Sequence, residues 1–178
     1  MDSDAVRRTT EEPASLVLSE LIAGFAAQRG MAERALAQLP DRAWHVALGD
    51  EDNSLAVLVR HLAGNLHSRW SGDPFTSDGE KPSRDRDGEF TPTDLAPDAL
   101  RAEWSAAWAV TEATLATLRS DDLARTVVIR GVPHTLAQAL VRSLTHVSGH
   151  VGQIVLLAKH HAGTGWATLS IPKKRTSG

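Results

Sequence analysis

Apolar residues recur every three or four positions in four stretches of the chain, at about 14–39, 54–71, 97–119 and 135–161. This interval is typical of an amphipathic helix, because it places the apolar side chains on one face. The pattern therefore predicts four helices, each with a face that can be buried against the others.

Residues that suit helix ends flank these stretches. They are Pro40 after the first stretch, Asn53 or Ser54 before the second, Pro97 at the start of the third, Thr135 with Gln138 before the fourth, and Gly163 after it. Proline is tolerated in the first turn of a helix, Thr-x-x-Gln forms a capping box, and glycine commonly terminates helices. These signals agree with the boundaries that the apolar spacing predicts.

Two segments lack the helical period. Residues 72–96 are rich in Gly, Pro, Ser, Asp and Arg, and predict a long connection that is either a solvated charged loop or a lid over a site. Residues 125–134 combine β-branched residues with a turn signal and predict a small β-hairpin. The expected fold class is all-α: a four-helix bundle with a long helix 2–3 connection and a β-hairpin insertion.

The length of 178 residues suits one domain spanning 1–178, with residues 1–13 as a flexible N-terminal lead-in. No apolar run approaches the roughly 20 residues of a membrane span, and residues 1–13 lack the apolar core of a secretory signal. We therefore expect a cytoplasmic protein that does not bind membranes. The net charge of -3 and the lack of a basic recognition helix argue against a nucleic-acid partner or a DNA-binding regulator.

The chain has no cysteine, which excludes disulfides, a cysteine nucleophile and thiolate metal ligands. Histidine and carboxylate side chains are then the ligands available for a transition metal. His146 and His150 are four residues apart on the fourth predicted helix, so their imidazoles point the same way. Both lie at the edge of the apolar stripe, as His61 does on the second helix, which predicts a shared metal at His61, His146 and His150. Separate helix-surface or core-edge histidines are the alternative.

The remaining histidines are predicted to lie elsewhere. His160 and His161 fall too far along the fourth helix to join His150 and suit its C-terminal dipole, whereas His45, His67 and His134 are expected at the surface. Asn65, one turn after His61, either lines the same pocket or bonds within it.

Several other residues allow both a structural and a functional interpretation. Gly149 and Gly152 lie in mid-helix, where they favour a close approach of two helices over room for a ligand. The tryptophans Trp70, Trp104 and Trp108 are expected in the core, although they could wall a pocket. If the 72–96 loop is a lid, Arg84 or Arg86 could bind an anionic substrate.

Segments around the three histidines resemble the DinB-like superfamily of metal-binding bundles. They are Val59-Arg-His-Leu-Ala-Gly-Asn65 and Ser143-Leu-Thr-His-Val-Ser-Gly-His-Val-Gly-Gln-Ile154. The chain resembles most closely an uncharacterised branch of that superfamily. The segments that carry this resemblance are Asp78-Gly-Glu-Lys-Pro82, Arg84-Asp-Arg-Asp-Gly-Glu-Phe90 and Trp166-Ala-Thr-Leu-Ser-Ile-Pro172. The resemblance covers residues 16–175 and implies an up-down-down-up bundle, a three-histidine metal site at His61, His146 and His150, and a homodimer.

Better-understood members of that superfamily use low-molecular-weight thiols, among them mycothiol- and bacillithiol-dependent transferases and a maleylpyruvate isomerase. The expected function is a metal-dependent thiol transferase that acts on a small-molecule electrophile, with nickel or zinc as the divalent ion. Since the chain has no cysteine, the thiol would be a second cofactor. The alternative is a non-enzymatic metal-binding or dimeric interaction module, which a closed metal shell or a blocked pocket would favour.

Overall fold

The four predicted helices are present in the structure, a computed structural model that describes residues 12–171. They are α1 (Pro13–Leu36), α2 (Leu55–Trp70), α3 (Pro97–Thr117) and α4 (Leu136–Ala162). Short 3-10 turns lie at Asp41–Ala43, Gly88–Phe90, Ser120–Ala124 and Gly163–Gly165. The predicted lead-in at 1–13 falls almost entirely outside the described residues.

The helix ends follow the sequence signals closely. Ser54 caps α2 by accepting a hydrogen bond from the Val57 N–H at 3.3 Å. Thr135 and Gln138 form the capping box of α4. The Thr135 N–H donates to Gln138 Oε1 at 2.9 Å, and the Gln138 N–H donates to Thr135 Oγ1 at 3.1 Å. The predicted first helix was too long, because α1 ends at Leu36 and the chain turns before Pro40. Proline disfavours helical backbone at the residue before it, here Leu39, and residues 37–38 form a turn.

The helices share one hydrophobic core, in which α1 packs against α4 and α2 packs against both α3 and α4. Trp70, Trp104 and Trp108 are 1%, 3% and 0% exposed. The prediction that these tryptophans lie in the core is therefore confirmed. The described part of the chain is thus mostly helical, with one small sheet. None of its helices combines the length and the apolar character needed to cross a membrane.

The small sheet is the predicted hairpin. Strands β1 (Thr126–Ile129) and β2 (Val132–Thr135) pair antiparallel, with Ile129 opposite Val132. The two residues between them, Arg130 and Gly131, both have left-handed backbone, with φ of 54° and 72°. That combination forms the tight turn that matches the twist of two paired strands.

The 72–96 connection is fastened to this hairpin through Asp78. The Asp78 carboxylate accepts hydrogen bonds from the backbone N–H groups of Arg130 and Gly131 at 2.9 and 2.8 Å. The next residue, Gly79, donates its N–H to the Val128 carbonyl at 2.8 Å. Lys81 N–H reaches the Ser68 hydroxyl on α2 at 2.9 Å. The loop is therefore held across α2 instead of projecting into solvent.

The expectation that Gly149 and Gly152 permit a close approach of helices is wrong for the described chain. No atom of another element lies within 4 Å of the position a Cβ would occupy at either residue. The glycine that does lie against a neighbouring helix is Gly24 of α1, where a Cβ would be 2.9 Å from Leu144 of α4.

Candidate metal centre

Three histidines from two helices converge at one point. His61 lies on α2 with 4% exposure, while His146 and His150 lie on successive turns of α4 and are partly buried. One nitrogen from each ring falls within 4.8 Å of the others. The structure thus brings together the three residues that the sequence predicted as a group.

The donor atoms fit a transition-metal ion. The Nε2 atoms of His61 and His146 are 3.2 Å apart, close to the roughly 3.3 Å expected for two imidazole nitrogens about 2.0 Å from a tetrahedral ion. The rings of His61 and His150 have centroids 4.8 Å apart, and those of His146 and His150 4.6 Å apart. A small adjustment of the side chains would place all three nitrogens around one ion.

Glu89, which the sequence analysis did not single out, orients His61. Its Oε2 accepts a hydrogen bond from His61 Nδ1 at 3.0 Å. The proton of the ring is then on Nδ1, and the unprotonated Nε2 is free to bind a metal. The carboxylate is itself held by Arg84, whose Nε and Nη2 donate to Oε1 and Oε2 at 2.7 Å each. Such carboxylate–histidine pairs fix the tautomer and the orientation of metal-binding imidazoles.

Gly64 makes room for this contact, since a methyl group there would collide with the Glu89 carboxylate. A glycine inside a helix, one turn after His61, is the sequence signal that could have indicated an incoming side chain here.

The two histidines of α4 differ in their outer contacts. His150 Nδ1 lies 2.8 Å from the side-chain oxygen Oε1 of Gln153, to which it can donate, and this leaves Nε2 of His150 free to bind a metal. His146 Nδ1 is buried and has no hydrogen-bond partner among the described residues.

The electrostatics keep the α4 histidines neutral. Burial, with the neighbouring histidines and arginines, lowers the pKa of His146 to about 4. Burial also lowers the pKa of His150, against the hydrogen bond to Gln153. Burial alone would raise the pKa of Glu89, but the hydrogen bonds from His61 and Arg84 outweigh it and the net pKa is lowered. Neutral imidazoles beside an ionised carboxylate are the protonation states that metal binding requires.

The histidines form part of the wall of a cavity of about 370 Å³. Asn65 lines it as well, together with the charged side chains Arg69, Glu80, Arg84, Arg86, Arg130 and Arg142. Residues of the 72–96 segment line one side of the cavity, so this segment is more than a solvated charged loop, and its role as a lid stays a prediction.

Arg84 does not have the role expected for it. Its guanidinium donates to Glu89 and, at 3.0 Å, to Glu80, and its side chain is only 5% exposed. These pairs occupy the hydrogen-bonding edges that an anionic ligand would need. Arg86 is half-exposed, pairs with Asp87 at 3.0 Å and lies over the Phe90 ring.

The other histidines lie away from the centre, as predicted. His45, His67 and His160 are exposed and His134 is half-exposed. His161 does not act only at the helix end, since its Nε2 lies 3.2 Å from the Val46 carbonyl oxygen.

The chain matches a known protein family. The family described as a protein of unknown function (DUF1572) matches residues 12–175, which is nearly the whole chain and includes every residue of the centre. No curated protein shows significant similarity to the chain.

Proposed function

The chain belongs to the family of unknown function DUF1572, and from the chemistry of its histidine centre we propose that it is a metal-dependent enzyme. The proposed reaction joins a low-molecular-weight thiol to a small electrophile, or isomerises that electrophile. The observation that carries the proposal is the convergence of three histidine nitrogens in the wall of an open cavity. Three protein ligands with room for a further one are typical of catalytic metal sites, whereas structural sites are closed.

Each side chain has a role in this proposal. His61, His146 and His150 would hold nickel or zinc, for which imidazole is a suitable ligand. A divalent ion held there would bind an added thiol and promote the loss of its proton. Glu89 keeps the proton of His61 on Nδ1, and the low pKa of His146 keeps that ring available at neutral pH. The thiol would come from a cofactor, because the chain has no cysteine.

The resemblance to the DinB-like superfamily supports the same proposal. It accounts for the pairing of one histidine on the second helix with two on the fourth. We propose with it that the helices run up-down-down-up and that the protein is a homodimer. Val141 and Leu156 on α4 are 53% and 64% exposed, and this face is the one proposed for the dimer. A single domain and a cytoplasmic location stay predictions.

The metal is tested by elemental analysis of protein purified from its native host. We expect about one divalent ion per chain in the wild type and a sharp loss in His146→Ala, since one of three ligands is removed. His67→Ala, which removes an exposed histidine from the same helix as His61, is the matched control and should keep the wild-type content. Equal metal content in all three proteins would refute the metal site.

The reaction is tested by incubating metal-loaded protein with several thiols and a chromogenic electrophile. We expect faster conjugation with at least one thiol than His150→Ala gives, and a change in the visible spectrum when that thiol is added to cobalt-substituted protein. A site that binds metal but shows neither response would favour the alternative, a metal-binding or interaction module.

A further inference from the structure

Two facing helices present side chains to the cavity at matching four-residue intervals. On α2 these are His61, Asn65 and Arg69, and on α4 they are Arg142, His146 and His150. Four residues of a helix rise about 6 Å, so each series spans about 12 Å along its helix. The histidines of the two series meet at one end of the cavity. The opposite end of each series is an arginine.

Arg69 is buried without a partner for its charge. The residue is 9% exposed, and its Nη1 has no hydrogen-bond partner among the described residues. Burial lowers the pKa of its guanidinium, and nearby Arg142 acts in the same direction. Burying a charged group is unfavourable unless the group is paired, so this position requires an explanation.

The carboxylates close enough to act on Arg69 are already engaged elsewhere. Glu80 and Asp78 both raise its pKa electrostatically. However, Glu80 is paired with Arg84 at 3.0 Å and with Arg130 at 3.4 Å. Asp78 accepts backbone N–H groups of Glu80, Arg130 and Gly131. Among the described residues, Arg69 thus lines the cavity without forming an ion pair, since both nearby carboxylates bind other groups.

We propose that this end of the cavity is an anion-binding site, in which Arg69 and Arg142 bind the carboxylate or phosphate group of a small compound. The other end of that compound faces the histidines, one to two helical turns away, or about 6–12 Å. The guanidinium fork matches both kinds of oxyanion through paired hydrogen bonds. A cavity of about 370 Å³ suits a small metabolite. The proposal extends the proposed function by giving its substrate class, a small anionic compound.

The anion site is tested separately from the metal. Full-length protein is freed of metal with a chelator, and the chelator is then removed by gel filtration, because it is itself an anion. Inorganic phosphate and succinate are the probes, titrated by calorimetry in a chloride buffer of low ionic strength. We expect wild type to bind at least one probe, and Arg69→Gln and Arg142→Gln each to weaken that binding by about tenfold or more. Arg42→Gln, an exposed arginine outside the cavity, should bind like the wild type.

Folding of the variants is checked by circular dichroism and thermal unfolding. Because Arg69→Gln removes an unpaired buried charge, its melting temperature without anion should equal or exceed that of the wild type. The wild type, but not Arg69→Gln, should melt at a higher temperature when the bound probe is added. Should Arg69→Gln fail to fold, Arg69→Lys keeps the charge but loses the fork, and is expected to weaken binding to a smaller extent.

The outcomes separate this inference from the proposed metal site. Equal probe affinity in wild type, Arg69→Gln and Arg69→Lys overturns the anion site, and so does an equal loss in Arg42→Gln. Metal content is measured on each protein before the chelator treatment, where Arg69→Gln should keep the wild-type value. Loss of metal in untreated His146→Ala with phosphate binding retained would support both sites. A wild type that already lacks metal when purified but binds phosphate would refute the metal site alone.

Discussion

Replacing Glu89 by glutamine tests whether the charged network supports the histidine centre. The carboxylate receives three hydrogen bonds, from His61 Nδ1 and from Nε and Nη2 of Arg84. A glutamine has one oxygen and one NH₂ group, so in either orientation its NH₂ group would face an N–H group of Arg84. The substitution also removes the negative charge beside His61.

The structure gives the size of two separate effects. Loss of a carboxylate partner behind a metal-binding histidine typically weakens metal binding by about 10- to 100-fold, or about 1.4–2.8 kcal/mol. The Glu89 and Arg84 side chains are 9% and 5% exposed, and breaking a buried pair from one side lowers the free energy of unfolding by about 3–5 kcal/mol. The lower end applies here, because Arg84 keeps its pair with Glu80.

Zinc affinity is measured by competition with a chromogenic chelator, and stability by denaturant unfolding of metal-free protein. Glu80→Gln is the matched control, since Glu80 also pairs with Arg84 but does not contact a histidine. It should lower stability and leave zinc affinity unchanged. A folded Glu89→Gln protein with wild-type zinc affinity would refute the role assigned to the carboxylate.

Three further predictions follow from contacts described above. Gly64→Ala should weaken zinc binding, because the added methyl group displaces Glu89. The control is Gly30→Ala, whose methyl group meets only the flexible end of the Arg34 side chain; it should leave zinc affinity unchanged and raise the free energy of unfolding by about 0.5–1 kcal/mol. Equal zinc affinity in the two variants would contradict this. Because the pKa of His146 is lowered from 6.5 to about 4, the unfolded chain binds this proton more readily, and metal-free protein should lose stability as pH falls through that range. His146→Gln should flatten the dependence of the urea midpoint on pH, and an unchanged slope would show that another group causes it. Leu156→Glu should convert a dimer into a 19.1 kDa monomer in sedimentation experiments, and a wild type that is already monomeric would refute the dimer.

The helices and the three histidines could be predicted because they depend on local periodicity. His146 and His150 share a helix face through their spacing alone, and His61 was placed by its position beside Leu58 and Leu62. Capping residues set most boundaries correctly for the same local reason.

The rest of the site depends on contacts that have no local signature. Glu89 lies 28 residues after His61, beyond the end of α2 and the irregular chain that follows it, and hydrogen bonds between Asp78 and the hairpin help to set the path of that chain. Arg84 was assigned to a ligand because its carboxylate partners could not be located from sequence. The glycine argument was sound but applied to the wrong residues: Gly64 receives a side chain, while Gly149 faces open space.

The three histidines come only from α2 and α4, whereas Glu80, Arg84 and Arg130 reach the cavity from the loop and the hairpin. The metal-binding scaffold and much of the surrounding charge are thus encoded by different parts of the chain. Exchanging Arg130, or loop residues other than Arg84 and Glu89, could change the shape and sign of the cavity without moving an imidazole. The Asp78 contacts on the hairpin are made to backbone N–H groups, so they do not depend on the side chain of Arg130, whereas the left-handed backbone at Gly131 favours glycine. This arrangement makes the site a suitable starting point for redesigning ligand selectivity, with libraries confined to those two segments.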